Sequence, residues 1–189
     1  MSGNGSTVTI HMAASLDGFI ARRDGGVDWM ETSDVFDDGE SLGADEVAAF
    51  LRAIDCYVMG SRTYETALAF EARGLGWAYG DKPVFVLTTR ALSKTRDTVE
   101  FVSGDMDLLF QQRLRPTFRN IWVAGGGVVA GEVLRRHLAD EVRYSILPVL
   151  IGDGLRFFEG VSCDVRLHLL EAKAYRSGIV ALRHSVRRD

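Results

Sequence analysis

Apolar and polar residues alternate along Thr7–Ala14, with Val8, Ile10 and Met12 set against Thr9 and His11, the period of a half-buried strand. From Ala44 to Ala53 the period changes. Val47, Phe50, Leu51 and Ile54 fall at helical spacing, and Asp45 and Glu46 lie in the first turn, where carboxylates complement the helix dipole. Cys56-Tyr57-Val58-Met59 is a short apolar run that reads as a buried strand. It turns at Gly60-Ser61-Arg62-Thr63 into a second helix carrying Tyr64, Ala67 and Leu68. Pro83–Leu87 and Val99–Val102 read as strands. A third helix follows with Met106, Leu109, Phe110 and Leu114, and Pro116 is expected to end it. Ile121–Ala124 is a strand, three glycines follow without a break, and Ala130, Val133, Leu134 and Leu138 then mark a fourth helix. Glu141–Leu150, Arg166–Tyr175 and Ile179–Arg187 complete the pattern as strands, the last two joined as a hairpin at Arg176-Ser177-Gly178.

Strands alternating with helices, closed by an antiparallel end, predict an α/β fold: a mostly parallel central sheet with antiparallel C-terminal strands. Residues 7–189 form one domain in this reading, behind a disordered stretch over residues 1–6. The segment from Gly26 to about Gly43 is irregular, and is either a functional lid or a surface loop. In such sheets ligands bind beyond the carboxyl ends of the strands. Ala13–Asp17, Gly60–Thr63, Thr88–Arg90 and Gly125–Gly127 all lie there.

The chemistry of these strand ends is that of phosphate binding. Gly125-Gly126-Gly127 opens a helix, and a helix N-terminus offers free backbone N–H groups to an anion. Glycine at these positions keeps side chains out of the space a phosphate needs, and Gly126 is expected at positive φ. Gly60–Thr63 places a glycine, two hydroxyls and a cation at another helix start; its plainer role is a Ser/Thr cap. Thr88-Thr89-Arg90 adds hydroxyls and a guanidinium, which binds phosphate as a planar fork and suits a ribose 2′-phosphate. The three clusters together point to a dinucleotide, and to NADPH before NADH.

Taken in order, Ser15-Leu16-Asp17-Gly18-Phe19-Ile20-Ala21, Val58-Met59-Gly60-Ser61-Arg62-Thr63-Tyr64-Glu65, Val86-Leu87-Thr88-Thr89-Arg90 and Val123-Ala124-Gly125-Gly126-Gly127 resemble the dihydrofolate reductase superfamily. The branch they are most similar to is the C-terminal reductase domain of the riboflavin-pathway deaminase/reductase. The resemblance implies a dihydrofolate reductase-like fold and NADPH held by backbone at Ala13 and Ile20. It implies phosphate contacts at Gly60, Ser61, Arg62 and Thr63 and at Gly125, Gly126, Gly127, Val128 and Val129. The 2′-phosphate would lie around Leu87, Thr88, Thr89 and Arg90. The reaction implied is hydride transfer to a C=N or C=O carbon of a small heterocyclic, ribosylaminopyrimidine or pterin-like substrate. Dihydrofolate reductases carry a carboxylate on the first helix, and counting back from Phe50 the matching position is Glu46. Asp17 and Glu46 are thus the candidate acids or substrate anchors; Asp17 is otherwise a turn residue and Glu46 a dipole partner. Trp29, Phe50, Tyr64 and Ser145 are candidate substrate contacts. The Gly26–Gly43 segment departs from both subfamilies, and no basic cluster stands ready for a substrate phosphate or a folate tail.

A net charge of −4 argues against general nucleic-acid binding. No apolar run approaches the ~20 residues of a membrane span, and the first residues lack the features of a signal peptide, so a cytoplasmic protein is expected. Cys56 and Cys163 are the only cysteines, and Cys56 reads as a small core residue. His11, His137, His168 and His184 give no metal-ligand spacing. The alternating C-terminal hairpin and the riboflavin-type relatives suggest a homodimer. Two alternatives stand beside the reductase. One is a non-catalytic NADP(H)-binding module of the same fold. The other is a Rossmann-type dehydrogenase, since Gly125-x-Gly127-x-x-Ala130 also fits that fingerprint.

Overall fold

The computed structural model describes residues 5–188. Of the stretch expected to be disordered, residues 1–4 lie outside the described residues. The elements run β1 (Thr7–Ser15), β2 (Phe19–Ala21), a 3-10 turn (Asp28–Met30), α1 (Ala44–Ala53), β3 (Cys56–Gly60), α2 (Ser61–Ala72), β4 (Val84–Leu87) and β5 (Val99–Val102). Then come α3 (Met106–Leu108), a π-helical stretch (Leu109–Leu114), α4 (Arg115–Thr117), β6 (Asn120–Gly125), α5 (Gly127–Arg135), β7 (Glu141–Leu147), β8 (Leu155–Arg156), β9 (Leu167–Ala174) and β10 (Val180–Val186).

Eight strands form one sheet in the order β5-β4-β3-β6-β1-β7-β10-β9. From β5 to β7 every pairing is parallel, and β10 runs antiparallel to both β7 and β9. The expected α/β class and the antiparallel C-terminal end are therefore present. Chain-consecutive β6 and β7 flank β1 on either side, so connections leave this point in opposite directions. That is the geometry at which open α/β sheets hold their ligands. The Rossmann reading fails here: its glycine turn belongs to the first strand–helix unit, whereas Gly125–Gly127 follows β6.

The alternation seen in the sequence sorts side chains between two layers. Val8, Ile10, Met12 and Ala14 of β1 point to one face, where they are buried with Val58, Val123, Phe110, Leu114, Val133 and Leu138. Burying each of the Val, Ile, Leu, Met and Phe side chains stabilises by about 1.5–3 kcal/mol. On the opposite face Tyr57, Met59, Val84, Val86 and Val99 pack with Tyr64, Ile54 and partly buried Phe50, Trp77 and Trp122.

Three points bear on the sequence reading. The helical run that starts at Met106 passes unbroken through Leu114 and Arg115 and ends at Thr117, one residue past Pro116, as expected. Strand β7 stops at Leu147 and not at Leu150, because Pro148 has no N–H for the ladder. The strands β2 and β8 were not expected, and they pair as a separate two-stranded sheet. The Gly26–Gly43 segment is fastened along the β9–β10 hairpin. Phe36 N donates to Arg176 O at 2.8 Å, Thr32 Oγ1 donates to Ser177 O at 3.2 Å, and Glu40 N donates to Ala174 O at 2.8 Å.

Candidate functional site

The three glycines of the β6–α5 turn have three different duties. Gly125 has φ 138°, a conformation that favours glycine. Gly126 has φ −89°, extended backbone open to any residue, so the expected positive φ belongs to its neighbour. A Cβ on Gly126 would stand 3.6 Å from Thr63 Oγ1 and 4.0 Å from Ile20 Cδ1, in ordinary contact. A Cβ on Gly127 would meet the Arg156 carbonyl oxygen at 2.0 Å. Of the three, Gly126 alone has room for a Cβ at ordinary contact distances; Gly127 is glycine so that α5 can lie against β8. Gly131, one turn on, meets Glu159 O in the same way, at 1.9 Å.

Helices α2 and α5 both begin beside this turn. Their N-cap residues, Gly60 and Gly126, carry no side chain that could cap, and no side-chain cap hydrogen bond is made at either. The first-turn amides are thus left for another acceptor. A Cβ on Gly60 would meet Val129 Cγ2 at 3.2 Å, so the two helix starts are in close packing. Val129 is buried, whereas Val128 is 60% exposed and stands at the rim. Thr63, Ile20, Gly60, Gly125 and Gly126, read from three separate stretches of sequence, meet within a few contacts. Asymmetric roles for three adjacent glycines are invisible in their sequence, because each depends on a partner elsewhere in the chain.

Beyond the ends of β4 and β5 lies a cavity of about 370 Å³. It is lined by Ser61, Leu87, Thr88, Thr89 and Arg90, which sequence reasoning found, and by Ser103, Gly104 and Asp105, which it missed. The end of the short strand β5 was signal enough to include them. Arg90 donates to Glu65 through both guanidinium ends, at 2.7 and 2.9 Å. This pairing holds the Glu65 carboxyl below its ordinary range. Thr88 Oγ1 accepts from Arg90 N at 2.9 Å and turns the backbone after β4.

On the α1 side of the sheet, Ala13 and Ser145 are register partners on β1 and β7. Ser145 Oγ lies 3.1 Å from His11 Nε2. The His11 ring stacks on Trp122 and meets the edge of Phe50, at centroid distances of 5.1 and 5.6 Å. Burial, and then the Arg143 guanidinium, pushes the His11 imidazole down to about 4, so the ring is neutral near pH 7. Its Nδ1 is buried without a partner among the described residues. Glu46 lies one turn before Phe50, on the same helix face, and is 3.7 Å from Lys173.

The other candidates are dispersed. Asp17 accepts from Ser15 Oγ at 2.6 Å and from the amides of Gly152 at 2.7 Å and Ile151 at 3.3 Å. The Ser15 hydroxyl, seconded by those amides, keeps its carboxyl below the usual range. Asp17 therefore fastens the β1–β2 turn to the loop after β7. Trp29 is 6% exposed and lines a second cavity of about 370 Å³ with Leu147, Pro148 and Val149. Tyr64, expected at the rim, is a core residue: it is 1% exposed and its hydroxyl donates to Ser93 O at 3.0 Å. The helix buries its apolar stripe, and position 64 falls on that stripe. Among the described residues, no group of three or more His, Cys, Asp or Glu side chains could hold a metal ion.

A model of the RibD C-terminal domain matches residues 6–181. The chain is 26% identical over 170 residues to the uncharacterized protein YwjB of Bacillus subtilis (strain 168), covering 90% of this chain and 92% of that one. Among solved structures, a putative riboflavin biosynthesis protein from Shewanella sp. PV-4 superposes with a TM-score of 0.80 at 24% identity, covering 97% of this chain and 99% of that one. A Thermotoga maritima diaminohydroxyphosphoribosylaminopyrimidine deaminase/5-amino-6-(5-phosphoribosylamino)uracil reductase superposes with a TM-score of 0.65 at 17% identity. There the match covers 96% of this chain and 57% of the other. At such identities the structural likeness is one of fold. The family match spans nearly the whole chain and agrees with the ordered motifs: the protein belongs to the RibD C-terminal domain family, and its fold is dihydrofolate reductase-like.

Proposed function

We propose that the protein is an NADPH-dependent reductase acting on a small heterocycle of the ribosylaminopyrimidine or pterin kind. The observation that carries this reading is the pair of uncapped helix starts at Gly60 and Gly126, with room for a further group over Gly126 at ordinary contact distance from Thr63 and Ile20. A pyrophosphate fits there: it would accept from first-turn amides, with Thr63 beside it and Ile20 against the same space. Family membership supports the reductase class, and the Thermotoga neighbour's name supports the substrate class. When bound, NADPH supplies the hydride.

The remaining work falls to the chain. Ala13, Ser145, His11 and Phe50 form one wall, on which a flat heterocycle can stack and hydrogen-bond. Glu46, one turn before Phe50, is the residue this reading assigns to anchor a ring nitrogen or, as the protonated acid, to give it a proton. Asp17 is a positioning residue in this scheme, since its carboxylate is taken up by Ser15 and two amides. The decisive experiment follows NADPH oxidation against a panel of pterins and aminopyrimidines. Saturable NADPH binding with no turnover on any member would instead assign a non-catalytic module.

Arg90 lines the cavity beside Thr88 and Thr89, and in this reading it meets the 2′-phosphate. Arg90→Ala is expected to weaken NADPH about tenfold, roughly 1.4 kcal/mol, and to leave NADH within about twofold. Paired titrations check this, and an equal loss for both nucleotides would remove the 2′-phosphate assignment.

The same reading makes the protein a cytoplasmic homodimer. No described helix is long and apolar enough to cross a membrane. Strand β9 is a sheet edge, and Leu167, Leu169, Leu170 and Val180 of the hairpin are exposed. Such edges and patches are usually covered. Light scattering at micromolar concentration should give twice the 20.8 kDa chain mass; the monomer mass would refute the dimer.

A further inference from the structure

The guanidinium of Arg90 already has an anion in its fork. Nη2 donates to Glu65 Oε1 at 2.7 Å and Nη1 to Glu65 Oε2 at 2.9 Å, with Ser61 Oγ 3.5 Å from Nη1. Glu65 stands one turn after Ser61 on α2, on the same helix face. Across the cavity Asp105 brings a second carboxylate, and one of its oxygens accepts from Asp107 N at 2.8 Å. The cation nearest it, Arg136, is 3.9 Å away and is also bonded to Asp107 and Glu132. Around the cavity, then, one lining arginine is matched by Glu65, and a further acid stands opposite.

A carboxylate and a phosphate use the same planar, two-point geometry on arginine. They cannot both occupy the Nη1/Nη2 edge that Glu65 holds. The side chains of Arg90 and Glu65 are 54% and 43% exposed, so their pair is labile enough for an incoming anion to displace. A nucleotide bearing only a 2′-hydroxyl does not need the fork and is indifferent to its occupant.

We infer that Glu65 sets the cofactor choice of this protein, acting as a built-in competitor of the 2′-phosphate for Arg90 and so narrowing the preference for NADPH over NADH. The inference rests on the reductase reading, in that the cavity beside Thr88-Thr89-Arg90 takes the 2′-phosphate. Freeing Arg90 and removing one negative charge close to a phosphate dianion is worth about fivefold in affinity after solvent screening.

The test is Glu65→Gln in the full chain, titrated with NADPH and with NADH by quenching of intrinsic tryptophan fluorescence, with no substrate present. NADPH should bind about fivefold tighter than to the parent, and NADH should stay within about twofold. In Glu65→Gln combined with Arg90→Ala the gain should vanish. An unchanged NADPH-to-NADH ratio would overturn the proposal. So would weaker NADPH binding, which would make Glu65 a support that aims Arg90 at the phosphate. Glu65→Ala, read the same way, replaces the glutamine variant if melting shows the latter unfolded. If the folded parent binds neither nucleotide, the reductase reading itself falls and carries this inference with it, an outcome distinct from a bound cofactor with an unmoved ratio.

Discussion

Gly126→Val is expected to abolish NADPH binding while the protein stays folded. Gly126 sits at φ −89° and ψ −171°, extended backbone that a β-branched residue adopts readily. Its new Cβ would lie 3.6 Å from Thr63 Oγ1 and 4.0 Å from Ile20 Cδ1, both ordinary contacts, so the first atom of the side chain fits the fold as it stands. The methyl groups would instead fill the space between Thr63, Ile20 and the start of α5, where a pyrophosphate would reach the free amides. Each charge-assisted hydrogen bond lost is worth about 1.5–3 kcal/mol, so affinity should fall about a hundredfold or more. Circular dichroism and melting should match the parent to within about 5 °C, since half-buried Gly126 has only ordinary contacts where the Cβ would stand. A folded variant that binds NADPH as the parent does would refute the cradle, and the dinucleotide reading with it.

Gly127→Ala, a smaller change one residue on, should do the opposite and damage the fold. Its Cβ would stand 2.0 Å from the Arg156 carbonyl oxygen and 3.1 Å from the carbonyl carbon. That backbone is pinned, because Phe157 N donates to Gly18 O at 3.0 Å and Glu159 N donates to Gly127 O at 3.1 Å. Relief requires α5 or the β8 segment to shift, an overpacking cost of about 3 kcal/mol or more. For a domain of this size the melting temperature should drop by about 6–12 °C. A variant melting within about 2 °C of the parent would mean that the β8 segment yields freely. The two substitutions side by side separate the glycine that faces the ligand space from the glycine that faces the protein.

Much of the architecture was legible because it is written in short-range pattern. The helix Ala44–Ala53 and the strands at Cys56 and Val84 stand where periodicity of 3.6 or continuous apolar runs put them. Strands β2 and β8 escaped because three residues and two residues hold no period to detect. Their existence depends on each other across the chain. Tyr64 was misread for a related reason: its neighbours in the Gly60–Thr63 turn are polar, yet its own position on α2 points to Ser93 and Thr95, buried under a later segment.

By itself, the sequence determined the α/β class, the antiparallel C-terminal hairpin, the family, and the strand ends that crowd onto one rim. These follow from local periodicity, from glycine at a strand–helix junction and from the order of motifs, all properties of neighbouring residues. Tertiary structure alone decided that Gly125 serves conformation, that Gly126 leaves room beside Thr63 and Ile20, and that Gly127 serves packing. It alone paired Arg90 with Glu65 and tied Asp17 to the amides of Ile151 and Gly152. Each of those assignments is a contact between segments far apart along the chain. Which distant partner a polar group or a Cβ meets is set by how layers pack, and a local pattern holds no trace of it.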